Sequence, residues 1–159
     1  MEIINGIEKI ISLGLEVKVT NGIEKTKKVG NYKDTENREK FGIYDGYRVD
    51  TNDDSYYILI DNSQHCCEDW GYMQSEDDIS QFIGSEILEV RLTNSALKTI
   101  ELKLKSENLQ NIRDKSIQFV DFITTNGVLQ FVVYNEQNGY YSHEIIIAKG
   151  EEVIKFDIL

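Results

Sequence analysis

The last third of the chain constrains its fold most. Residues 117–124, 128–134, 140–148 and 153–158 form four apolar segments rich in β-branched and aromatic side chains. They are joined by Asn126-Gly127, Glu136-Gln137-Asn138-Gly139 and Lys149-Gly150-Glu151, residue types that enter tight turns at little conformational cost. Strands separated by such short connections predict an antiparallel four-strand meander. Proline is absent from the whole chain, so turns further upstream are read from glycine and asparagine.

Upstream the pattern is mixed. Ile3, Ile4, Ile7, Ile10 and Ile11 recur at helical spacing, which suits a short amphipathic helix over about 2–12, although isoleucine-rich runs also suit strands. Leu15, Val17 and Val19 alternate with charged residues as a strand does, and Asn21-Gly22 supplies a turn. Residues 25–40 carry no period and predict a long exposed loop. Strands over 41–44 and 47–49 bracket Asp45-Gly46, and 56–61 (YYILID) is a more deeply buried strand. Ser75 resembles a helix cap, with Ile79, Phe82 and Ile83 as the buried face of a short helix over 76–83 and Gly84 ending it. Residues 86–94 alternate as a strand. The sum is one α+β domain over 1–159: a mostly antiparallel twisted sheet, a C-terminal four-strand meander and one or two short helices.

Charge narrows the function. The chain has 159 residues, 17 basic and 28 acidic, for a net charge of −11. Residues 1–40 and 91–159 are nearly balanced, whereas 41–90 carry twelve acids against one base, Arg48. Such a chain is a poor direct ligand for nucleic acid, where clustered Lys and Arg must meet phosphate. An acidic surface either keeps the protein soluble or steers it onto a basic partner. No apolar run approaches the roughly 20 residues of a membrane span. Residues 1–15 lack a signal-peptide pattern, and the two adjacent cysteines form no disulfide framework, so a cytoplasmic setting is expected.

The densest chemistry is His65-Cys66-Cys67-Glu68-Asp69-Trp70-Gly71-Tyr72. His65, Cys66 and Cys67, joined by His143, are the candidate ligands for a metal or small molecule. Consecutive cysteines, however, do not easily face one ion, and metal-site spacing is usually wider. Packing of one cysteine as a small apolar group, with Trp70 anchoring the loop, is the simpler expectation. A Cys66 or Cys67 nucleophile with His143 as base has the right residue types, but no hydrolase signature surrounds it. Asp50-x-Asn52-x-Asp54 with Asp61 has calcium-loop spacing, yet Ser55 stands where that loop needs glycine. Phosphate-binding glycine motifs are absent. No complete catalytic motif is present, so no enzyme and no cofactor are expected.

The segments HCCEDWGYMQSEDDISQFIGSEILEVRLTN and NGVLQFVVYNEQNGYYSHEIII resemble an uncharacterised family of small proteins from phages, prophages and Gram-positive bacteria. The matching positions are Cys66, Cys67, Glu68 and Trp70, then 77–84, then Leu129 to His143, within about 56–147. Gln137 stands where the family pattern has histidine, which removes one possible ligand. The resemblance implies a context, not an activity. Together with the acidity it predicts a non-enzymatic counter-defence protein that inhibits a host defence effector of basic surface by direct binding. Asp53, Asp54, Glu76, Asp77 and Asp78 would meet the basic residues, and Trp70, Tyr72, Tyr140 and Tyr141 would anchor the interface. The alternative is a metal- or signalling-ligand-binding protein that uses the Cys-Cys loop and His143.

Overall fold

The isoleucine-rich N-terminus forms a strand and not the expected helix. The computed structural model describes residues 1–31, 42–64, 69–106, 116–136 and 141–159. In it β1 spans Glu2–Thr20. The helical spacing of its isoleucines has a different origin. Its register against the neighbouring strand slips between Ile4 and Gly6 and again between Ile10 and Leu13. Each bulge inserts one extra residue, so Ile4 and Ile7 share one face and Ile10 and Leu13 share the other, although each pair stands three apart. Ser12, inside the second bulge, sits at φ 55. Between the bulges the register is unbroken, so Ile7 and Ile10 point to opposite faces: Ile4 and Ile7 pack in the first core, Ile10, Leu13 and Leu15 in the second.

The remaining strands are β2 (Ile23–Asn31), β3 (Gly42–Thr51), β4 (Ser55–Asp61), β5 (Trp70–Gln74), β6 (Glu86–Thr93), β7 (Ile117–Thr124), β8 (Gly127–Asn135), β9 (Glu144–Lys149) and β10 (Glu152–Ile158). All pair antiparallel, in the order β2-β10-β9-β4-β3-β1-β6-β7-β8-β5, and β2 also pairs β1. The first six therefore close into a ring, and β6-β7-β8-β5 form a second layer against it. Strand makes up 67% of the described residues and helix 10%, so the expected α+β class is overturned by a mostly-β architecture. The four-strand meander is overturned too. Hairpins β7-β8 and β9-β10 form, but β8 pairs with β5 while β9 pairs with β4. Between them the chain crosses from one layer to the other. β9 is the reason: Ile145 and Ile147 feed the core between the layers while Ile146 and Ala148 feed the ring. A strand apolar on both faces must lie centrally, not at the end of a meander.

Other expectations fare variously. Asn21 and Gly22 form the turn, both at positive φ. The first part of the expected 25–40 loop is β2, and 32–41 lie outside the described residues. Asp45-Gly46 is no hairpin: β3 runs straight through, and a Cβ at Gly46 would fall 1.9 Å from the Ile58 carbonyl oxygen. The turn comes later, at Asn52–Asp54. The helix expected over 76–83 is a single 3-10 turn, Ile79–Phe82, capped by Asp78 and not by Ser75. Ser75 is buried and extends the β5–β8 pairing, its hydroxyl accepting from the Gln130 N–H at 3.0 Å. One α-helix, α1 (Lys98–Ser106), carries no sequence signal. Ile100, Leu102 and Leu104 alternate as in a strand, but only Ile100 is buried, with Leu104 one turn on packed beside it against Phe119 and Val132.

The core between the layers is aromatic. Phe131 packs on Tyr47 (centroids 4.8 Å) and edge-on to Phe122 (5.5 Å), which meets Tyr56 at 5.3 Å. These contacts, one tilted and two edge-to-face, join ring to second layer through side chains that project from four strands. Beneath α1, the fully buried Gln130 amide donates to Asp121 (2.7 Å) and the Ser95 carbonyl (3.0 Å) and accepts from the Leu97 N–H (2.8 Å).

Candidate functional site

Among the described residues, two sheet edges end without a neighbour on one side of the molecule. Among the described residues β6 meets β1 only at Glu86 and Ile87, so its edge from Leu88 onward has no strand partner. β10 meets β2 only at Glu152. Between the two edges runs an open groove of about 650 Å³. Its walls carry Glu2, Asp53, Asp54, Glu89 and Glu152, five carboxylates against one ammonium, Lys149. Lys149 is already committed, to Glu2 at 2.8 Å and Asp53 at 2.9 Å. Those two hydrogen bonds hold its ammonium above its ordinary pKa, and Lys149 in turn holds the Asp53 carboxyl below its own. Tyr56 donates to Glu2 at 2.8 Å; burial first, then that carboxylate, push the phenol up to about 12. Leu88 and Ile154 stand exposed beside the acids, 60% and 47% accessible. A second depression of about 440 Å³ follows the same edges, with Leu92, Thr93, Lys155 and Asp157 in its walls.

The groove gathers only two of the predicted contact residues, Asp53 and Asp54. Glu76 is half-buried. Asp77 is exposed and pairs with Lys103 of α1 at 3.1 Å. Asp78 accepts from the Ser80 N–H at 3.0 Å and from its hydroxyl, so its carboxyl is held low as a cap. Tyr72 is half-buried, edge-on to Tyr47 at 5.4 Å, with Lys9 over its ring at 5.8 Å, and burial raises its phenol pKa. Glu2, Leu88, Glu89, Glu152 and Ile154 were not anticipated. Their roles come from which edges the topology leaves open, a property with no local signal.

Trp70, Tyr141 and His143 meet at the end of the sandwich where β4, β8, β9 and β10 terminate or begin. His143 is fully buried; its Nδ1–H donates to the Asp61 carbonyl at 2.7 Å and its ring lies 5.2 Å from that of Trp70. The Trp70 indole donates to Gln64 at 2.8 Å. Asn135 donates to the carbonyls of Tyr141 (2.8 Å) and Leu159 (3.1 Å), pinning the crossover to the C-terminal residue. Trp70 pairs with Asn135, which sets the start of β5 beside the end of β8. The 3-10 turn touches the β7–β8 hairpin, where Asn126 donates to Gln81. His65, Cys66, Cys67 and Tyr140 lie outside the described residues. Among the described residues no group of three or more His, Cys, Asp or Glu could hold a metal ion. The calcium-loop pattern does not converge: Asp50 accepts from Ser55, Asn52 accepts from the Ile3 N–H, and Asp61 is at the far end of β4.

Fold and groove define a mostly-β protein with a ligand-sized acidic cleft between two strand edges and no assembled catalytic constellation among its described residues. A family model described as a domain of unknown function, DUF7448, matches residues 9–147, and the chain belongs to that family. No curated protein and no solved structure matches it. No helix among the described residues is long and apolar enough to cross a membrane.

Proposed function

We propose that this chain is a non-enzymatic protein that binds a partner protein by taking a basic, extended segment of it into the groove between β6 and β10. The observation that carries the reading is the coincidence of an unpartnered strand edge, five carboxylates and exposed Leu88 and Ile154 in one cleft. An open edge offers backbone hydrogen bonds to an incoming strand, the acids select Lys or Arg, and the apolar side chains supply contact that persists once formed. Asp53 and Asp54 keep the role expected of them. Glu2, Glu89 and Glu152 join them, and Asp78 is reassigned to capping. The resemblance to phage and prophage proteins supports the finer reading, that the partner is a host defence effector and that binding inhibits it in the host cytoplasm.

The test is affinity capture from bacterial lysate with the wild-type chain and with Leu88→Arg and Ile154→Arg. A partner held by the wild type and released by both variants, with unchanged variant melting temperatures, is the expected outcome. Identical capture by all three baits overturns the reading.

One observation favours a second reading. His143 gives its Nδ1–H to the Asp61 carbonyl, the backbone anchoring found in many ligand histidines. A metal or small signalling ligand would then bind beside Trp70, with Cys66 and Cys67 as further ligands. Elemental analysis of natively purified protein and of His143→Gln separates the readings: stoichiometric zinc lost in the variant supports this one.

A further inference from the structure

The ring formed by β1, β2, β10, β9, β4 and β3 closes weakly. A single bridge, Glu152 to Lys25, joins β2 to β10, with the Thr26 N–H donating to the Glu151 carbonyl at 2.7 Å beside it. Just inside this seam lies a cavity of about 240 Å³. Leu13, Leu15, Tyr57 and Ala148 form its apolar wall, an extension of the ring's own core. A dry cavity of roughly 150 Å³ already holds a molecule the size of benzene, so this one has room for a larger apolar group.

The register places one basic side chain at the mouth of this cavity. Leu15 pairs with Lys28 and Val17 with Thr26 across β1 and β2. Directly opposed residues on antiparallel strands project from the same face. Leu15 is buried inside the ring, at 6% accessibility. Lys28 leaves from that same face, but near the open seam, and its side chain is exposed at the cavity mouth, as is that of Glu151. No ion pair or hydrogen bond of Lys28 occurs among the described residues. An exposed ammonium at the mouth of an apolar pocket has a chemical counterpart: a hydrocarbon body with one anionic end.

We propose that the ring cavity binds a small amphipathic carboxylate. Its hydrocarbon part rests among Leu13, Leu15, Tyr57 and Ala148, its carboxylate accepts from Lys28 Nζ, and the Thr26 hydroxyl borders the same mouth. The site is separate from the β6/β10 groove and does not depend on the reading of that groove.

The test uses two probes on the full chain, octanoate and octan-1-ol, which share a tail and differ in the head. Calorimetry is expected to show saturable 1:1 binding of octanoate to the wild type. Lys28→Gln should weaken octanoate about tenfold, the loss of one charge-assisted contact, and leave octan-1-ol unchanged. Lys28→Arg should restore most of the difference. Ala148→Leu, which fills the pocket, should abolish binding of both probes; should it fail to fold, the Lys28 variants decide alone. No saturable octanoate binding, or a Lys28→Gln variant that binds octanoate as the wild type does, overturns the proposal. So does equal weakening of both probes.

Discussion

Replacing Gln130 by leucine removes three hydrogen bonds at once from a fully buried side chain. The side chain is fully buried in β8, and its amide joins Asp121, the Ser95 carbonyl and the Leu97 N–H. Two of those bonds link neutral groups, worth about 0.5–1.5 kcal/mol each, and the one to the Asp121 carboxylate about 1.5–3 kcal/mol. The leucine also strands the buried Asp121 carboxylate oxygen and leaves two part-buried backbone groups unpaired, so a loss of about 3–5 kcal/mol is expected against a total stability of about 5–15 kcal/mol. With a urea slope of about 2 kcal/mol/M for a domain of this size, the midpoint should fall by roughly 1.5–2.5 M. The contacts also predict where the damage appears. Ser95 and Leu97 hold the entry to α1, so hydrogen exchange at Leu97 and through α1 should accelerate before the sheet opens. Gln130→Glu supplies a sharper comparison. It keeps the shape but sets a second carboxylate against Asp121 (2.7 Å) in the place of a donor, so it should be at least as damaging at pH 7 and recover in acid. A cost under about 1 kcal/mol for Gln130→Leu, or a neutral Gln130→Glu at pH 7, would refute the assigned network.

Three further outcomes follow from named contacts. Burial, and then the neighbouring Asp69, raise the Glu136 carboxyl above its ordinary pKa; its stabilising share is present below the unfolded value and is lost as pH rises through the folded one. Glu136→Gln should therefore raise the melting temperature at pH 7 and change little in acid, and equal shifts at both would contradict the pairing. Gly71 faces Tyr134 across β5 and β8, where a Cβ would lie 2.5 Å from the phenol oxygen; Gly71→Ala should cost about 1–3 kcal/mol in urea unfolding, and Gly71→Ala,Tyr134→Leu should recover part of it. Asp78→Ala should lower the melting temperature through the lost cap and Asp78→Asn much less; equal losses would show that the carboxylate has another task.

Several motif residues of the resemblance that lie among the described residues have architectural places. Leu129, Gln130 and Phe131 are all fully buried, two in the core between layers and one beneath α1. Trp70 and Gly71 open β5 against Asn135 and Tyr134. Strands were legible where short turns bound them, as at Asn126-Gly127. Their partners were not, because β8 and β9 read alike in sequence although they lie in different layers. The bulges of β1 gave a strand the spacing of a helix, and α1 shows the alternation of a strand because only one of its three apolar residues needs burial. Of the groove, Asp53 and Asp54 could be picked out as clustered acids. Glu2, Glu89 and Glu152 are scattered over the chain and converge only because β1, β6 and β10 share an end.

The groove's role is tested most directly by association kinetics with the captured partner across a salt series. Screening shortens to about 8 Å at 0.15 M, so the wild-type on-rate should fall several-fold from low to physiological salt while the off-rate changes less. The triple variant Asp53→Asn, Asp54→Asn, Glu89→Gln should bind more slowly at low salt and show a flatter salt dependence. An on-rate indifferent to both salt and the three substitutions would mean that no basic segment enters the cleft between β6 and β10.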